Sequence, residues 1–198
     1  MAVRPIITIG HPALRRPARR VEPNELGSSA IQQLIDDLIE TMRDARGAGL
    51  AAPQIDESLQ ICAIEVGDNP RYPYKPDIPL TVLINPELTV SSESSDDTLA
   101  QTFDNYEGCL SVPDIRGLVR RHCEVRIHAA DRHGKPLDFE IRGLSAGTFQ
   151  HEVDHLHGVL FLDKVVDTKS LCTWDNFERY HEQAFAEIAD DLVRRWGS

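Results

Sequence analysis

His151-Glu152-Val153-Asp154-His155 constrains this chain more than any other stretch. Residues four apart stand one turn apart on one face of a helix, so the two imidazoles can grip a single metal ion. Glu152 lies beside that face and can act as general base on a water that the ion activates. The bland alternative is a polar surface helix carrying two unrelated histidines. If the motif is real, the fold must open a cavity onto this helix and bring a further ligand from elsewhere.

The third ligand separates the possibilities. Metzincin proteases place a third His six residues after the second, past a Gly three residues after it. Gly158 is in place, but Phe161 occupies the histidine position, so that reading fails. An HExxH zinc endopeptidase with a downstream acidic ligand could use Glu178 or Glu182. The competitor is Cys109, in Glu107-Gly108-Cys109-Leu110-Ser111. One thiolate with two imidazoles leaves the fourth tetrahedral position open, as a catalytic site requires.

Composition narrows the class. A chain of 198 residues can bury one good core, and a single domain over 1–198 is expected. The net charge of −11 argues against a nucleic-acid-coating protein. The basic clusters at Arg15, Arg16, Arg19 and Arg20, and at Arg120 and Arg121, read as solvated surface. Cys62, Cys109, Cys123 and Cys172 are widely spaced, with no CxxC pair, so a disulfide framework is not expected. Cys62 and Cys123 fall in apolar runs and read as buried thiols. No apolar run reaches the length of a membrane span. Residues 1–21 lack acids and hold five arginines, as transit peptides do, but Pro5, Pro12 and Pro17 oppose the helix such a peptide needs. A bacterial cytoplasmic location is expected.

Ile31, Leu34, Ile35, Leu38, Ile39 and Met42 recur at helical spacing, with Ser28-Ser29 as candidate caps and Gly47 as the stop. Leu59 to Val66 and Leu80 to Val90 read as strands. Gly67 to Pro79, with four prolines, reads as a loop, and Ser91 to Asp104 as a polar surface loop. Cys123 to Ala129 and Leu137 to Ile141 alternate, joined through Asp131-Arg132-His133-Gly134 as a hairpin. A helix from about Ser145 carries the metal motif, with Gly158 as its C-terminal cap. Trp174 to Trp196 reads as one long helix with Phe177, Ala184, Ile188 and Leu192 facing inward. The expected class is α+β: antiparallel strands wrapped around a central metal-binding helix, with N-terminal and C-terminal helices.

A third segment, Gly47-Ala48-Gly49-Leu50-Ala51-Ala52-Pro53-Gln54, offers small residues past which a ligand can approach backbone, followed by one amide side chain. GAGLAAPQ, EGCLS and QHEVDHLHG, in that order, resemble the peptide deformylase family over roughly residues 6–165. Two departures stand out: Ala48 replaces a larger aliphatic residue, which widens the cleft, and Lys164 stands where Arg is usual.

The resemblance implies hydrolysis of the formyl amide on N-formylmethionyl peptides, with ribosome-associated nascent chains as partners and neither nucleic acid nor membrane. It implies Cys109, His151 and His155 as ligands to Fe²⁺, for which Zn²⁺, Ni²⁺ or Co²⁺ can substitute. It makes Glu152 the acid–base and gives the Gln54 amide and the Leu110 backbone N–H the developing oxyanion. Ala48, Gly49 and Gly108 would line the extended peptide, and Arg116 would stand near the mouth of the cleft, against an exposed strand-edge charge as the alternative. Asp154 would orient a ligand or the helix from behind. A non-catalytic, metal-stabilised binding domain is the third possibility, though a structural site is more often closed by a fourth protein ligand.

Overall fold

The computed structural model describes residues 2–67, 74–90 and 101–198. Five strands form an antiparallel sheet in the order β1 (Gly49–Ala51), β2 (Ile61–Val66), β3 (Ile78–Val90), β6 (Glu124–Ala130) and β7 (Pro136–Arg142). A second sheet joins β4 (Thr102–Cys109), β5 (Val112–His122) and β8 (Cys172–Thr173). The helices are α1 (Pro23–Leu26), α2 (Ser29–Asp44), α3 (Gly143–Leu156), α4 (Trp174–Tyr180) and α5 (Glu182–Trp196).

Strand period and helix period meet in the core. In β2, Ile61 and Ala63 point to one face, where Ile35 and Leu38 of α2 cover them. Cys62 and Ile64 point to the other, against Ala146 and Phe149 of α3. The large sheet is thus held between two helices, and α3 is buried at 12 of its 14 positions. A helix closed in on every side can present polar residues only to a cavity or to each other.

Both ends of α2 and the C-terminal end of α3 follow capping chemistry. The Ser28 side chain accepts from the Ile31 N–H at 3.3 Å. At the far end the left-handed residue is Arg46 (φ 52), not Gly47, and the Gly47 N–H reaches the Met42 carbonyl at 2.9 Å. Gly47 answers a different need, because a Cβ there would meet Leu110 Cδ1 at 2.8 Å. In α3, Gly158 (φ 74) and Val159 donate to the carbonyls of His155 and Asp154, a Schellman ending that fixes the last turn of the metal motif.

Three expectations are corrected. The long C-terminal helix breaks at His181, so the buried face of α5 runs through Phe185 and Ala189, while Ile188 is 53% exposed and Ala184 also faces solvent. Residues 102–104 belong to β4, and Ile78 and Pro79 to β3, so both loops are shorter than read; 68–73 and 91–100 lie outside the described residues. Arg121 is 2% exposed rather than solvated, because β5 turns it under α3.

Candidate active site

The site forms where the end of β4 meets the last turns of α3. A bulge between Gly108 and Cys109 breaks the β4–β5 register and re-aims the cysteine. Cys109 Sγ lies 3.3 Å from His155 Nε2, which lies 3.2 Å from His151 Nε2. Among the described residues this is the one group of three His, Cys, Asp or Glu side chains able to share an ion. Glu178, by contrast, sits exposed on α4 and accepts from the indole N–H of Trp174 in its own helix.

A chain of charges stands behind the three donors. His151 Nδ1 is 2.9 Å from Glu107 Oε2, which fixes Nε2 as the atom turned to the cluster. Arg121 grips Glu107 with two bonds of 2.7 and 2.8 Å, and its third nitrogen reaches Asp154 at 2.6 Å. Lys164 Nζ completes the line 3.3 Å from Asp154 Oδ1. Asp154 therefore orients His151 only through Arg121 and Glu107.

Burial and the neighbouring charges push the two imidazoles in opposite directions. Burial favours neutral His151, yet the bonds to Cys109 and Glu107 outweigh it and raise its pKa well above the ordinary value. Burial, then the neighbouring His151, pushes His155 well below. Glu107 is opposed by burial but held far below the usual carboxylate range by Arg121 and then His151. Soft and borderline donors of this kind, all within 4.8 Å of one another, suit a divalent transition metal.

Glu152, 4% exposed, faces the same cavity with its carboxyl raised to about 7, chiefly by burial. Gln54 works at both ends: Oε1 accepts from the Ala51 N–H at 2.8 Å, closing the loop, while Nε2 donates toward Cys109 Sγ at 3.5 Å and Ser111 Oγ at 3.2 Å. Ala48, Gly49, Gly108 and Leu110 line the cavity with them.

Arg116 lines it too, but as neither a mouth residue nor a strand-edge charge. It is 1% exposed, its guanidinium 4.0 Å from the Phe177 ring and 4.6 Å from that of Trp174, with Nη2 bonded to the Tyr74 hydroxyl and the Tyr106 carbonyl. The face of α4 holds it down.

Sequence reasoning passed over Glu107 and Arg121 as partners of a ligand, and Lys75, Asn105, Gly147 and Thr148 as cavity wall. The signal for the first pair was the Glu that opens EGCLS. Its Arg could be recognised only once β4 and β5 were known to pair.

The polypeptide deformylase family model matches residues 3–170. The chain belongs to the peptide deformylase family. Peptide deformylase 2 of Nostoc sp. is 40% identical over 174 residues, covering 88% of this chain and 92% of that protein. The Met-Ala-Ser-bound structure of a class I type b peptide deformylase from Acinetobacter baumannii superposes with a TM-score of 0.76 at 36% identity, over 83% of this chain and 99% of that one. A peptide deformylase structure from Legionella pneumophila gives 0.70 at 35%, over 98% and 99%. Peptide deformylases are metal-dependent hydrolases that remove the formyl group from formylmethionine at the start of nascent polypeptides, and the endopeptidase alternative is not favoured.

Proposed function

We propose that residues 1–198 act as one catalytic domain in which Cys109, His151 and His155 hold Fe²⁺ and Glu152 moves the proton. The observation that carries this is the convergence of the three donors beside a buried, unpaired Glu152 oxygen. The bound ion supplies Lewis acidity and lowers the pKa of water. Among the described residues Glu152 Oε2 has no hydrogen-bond partner in its buried place, so it stands ready to take a proton from the attacking water and return it to the leaving amine.

The Gln54 Nε2 and the Leu110 backbone N–H supply donors to the formyl oxygen as charge builds on it. Ala48, Gly49 and Gly108 present backbone to an extended peptide, in keeping with the Met-Ala-Ser held by the Acinetobacter relative. Arg116 braces the wall from beneath. Asp154, through Arg121, keeps His151 in the liganding tautomer. No helix among the described residues is long and apolar enough to cross a membrane. The reading extends to nascent chains at the ribosome, in a bacterial cytoplasm, as the setting of that work.

Anaerobically purified protein should release formate from formyl-Met-Ala-Ser, lose that activity to a chelator and regain it fully with Fe²⁺. Full activity after complete metal removal would end this reading.

A further inference from the structure

Gln54 and Leu110 lie on separate segments, yet two donors to one formyl oxygen must keep a fixed spacing. Leu110 and Ser111 are the residues that turn β4 into β5, between the paired Cys109 and Val112. Ser111 is 0% exposed, and its Oγ accepts from Gln54 Nε2 at 3.2 Å. One hydroxyl therefore ties the turn that carries the Leu110 N–H to the Gln54 amide. The backbones are joined as well. The Ile7 N–H donates to the Gln54 carbonyl at 2.9 Å, and the Ile9 N–H to the Ser111 carbonyl at 2.7 Å.

Amide geometry gives that bond a consequence. Oε1 accepts from the Ala51 N–H at 2.8 Å, which decides which end of the Gln54 amide donates. Nε2 carries two N–H groups in the plane of the amide. With one held by Ser111 Oγ, the other points toward Cys109 Sγ, 3.5 Å away, on the side where Cys109, His151 and His155 converge. Resting on the deformylase reading, we propose that Ser111 is a positioning residue whose hydroxyl aims the second Gln54 N–H at the formyl oxygen and sets its spacing from the Leu110 N–H. Ser111 is not part of the cavity lining, so it acts only through these donors. Without it a buried N–H loses its acceptor, and the amide turns to find another, taking the second N–H out of line.

The test is a double-mutant cycle of Ser111→Ala and Gln54→Leu, read as kcat and KM for formyl-Met-Ala-Ser on Fe²⁺-loaded protein. Ser111→Ala should lower kcat roughly 3- to 10-fold, the range of one neutral hydrogen bond, with KM and bound metal near wild type. In the Gln54→Leu background the same substitution should lower kcat no further, because nothing is left to aim. Equal losses in both backgrounds would overturn the inference and leave the deformylase reading standing. Hydrogen exchange of the Gln54 side-chain amide, followed by NMR on the diamagnetic Zn²⁺-loaded protein, needs no turnover. The wild type should hold one of the two protons strongly protected, and Ser111→Ala should lose that protection. Wild-type protons that both exchange as in a free amide, or protection unchanged by Ser111→Ala, would also overturn it. No formate from metal-loaded wild type would end the deformylase reading and this inference with it.

Discussion

Gly49 and Glu152 compete for one space: a Cβ built on Gly49 would lie 2.6 Å from Glu152 Cγ and closer still to its carboxylate. The glycine of β1 is what allows the Glu152 carboxylate of α3 to stand upright in the cavity. The first sheet and the central helix are therefore matched at the cavity as well as in the core.

Gly49→Ala should consequently push Glu152 aside. Because misplacement by about an ångström costs on the order of 10²-fold, kcat should fall at least that far while the metal stays bound. Metal analysis beside steady-state kinetics on formyl-Met-Ala-Ser checks this; a variant with wild-type kcat would show that Glu152 has room to move.

The Glu107–Arg121 pair should matter twice. Glu107→Gln weakens the hold on His151 Nδ1, and metal affinity should drop about 10- to 100-fold. Arg121→Met leaves Glu107 buried without its counter-charge, which should cost about 3–5 kcal/mol of stability. Competition with a chelator measures the first, and urea unfolding the second.

The same pair sets an acid limb. Glu107 is depressed in the folded chain, so its contribution is complete above the ordinary carboxylate value of 4.5 and fades as pH falls toward the lower folded value. Wild-type stability should decline with acid in that window, and Arg121→Met should show a shallower decline. Parallel curves would mean that the pair contributes nothing to acid sensitivity.

Gln54→Leu removes the donor and keeps the bulk. It should lower kcat roughly 10²- to 10³-fold with far less change in KM, since a contact that strengthens with developing charge adds little to ground-state binding. The loop itself will loosen somewhat, because Oε1 also holds the Ala51 N–H. Unchanged kcat would reduce Gln54 to that loop contact.

How much of this was legible in the sequence follows from where the information is stored. The α2 helix, the β6–β7 hairpin and the Schellman end of α3 are written in local periodicity and capping residues, and they stand where they were read, save that Arg46 and not Gly47 takes the left-handed turn after α2. The β4–β5 pair was not: Thr102–Cys109 and Val112–His122 carry mostly polar and charged residues, because one end of the sheet builds an ion-pair chain instead of an apolar core. For the same reason Arg121 reads as surface from its neighbours and lies at 2% exposure in the fold. The C-terminal break at His181 has no proline or glycine to announce it; Phe177 and Phe185 are both drawn under Tyr106, and the helix bends to let them. The spacing of the two imidazoles was visible because His151 and His155 share one helix. The wall formed by Lys75, Asn105 and Thr148 joins three distant segments, and only the fold brings them together.

The central claim is that Glu152 moves the proton and does not hold the metal. Its most direct test is Glu152→Ala, assayed for bound iron and for formate release from formyl-Met-Ala-Ser on the same anaerobic sample. The variant should keep one ion per chain and lose about 10²- to 10⁴-fold in kcat. A variant that loses its metal yet keeps wild-type turnover per bound ion would contradict the account.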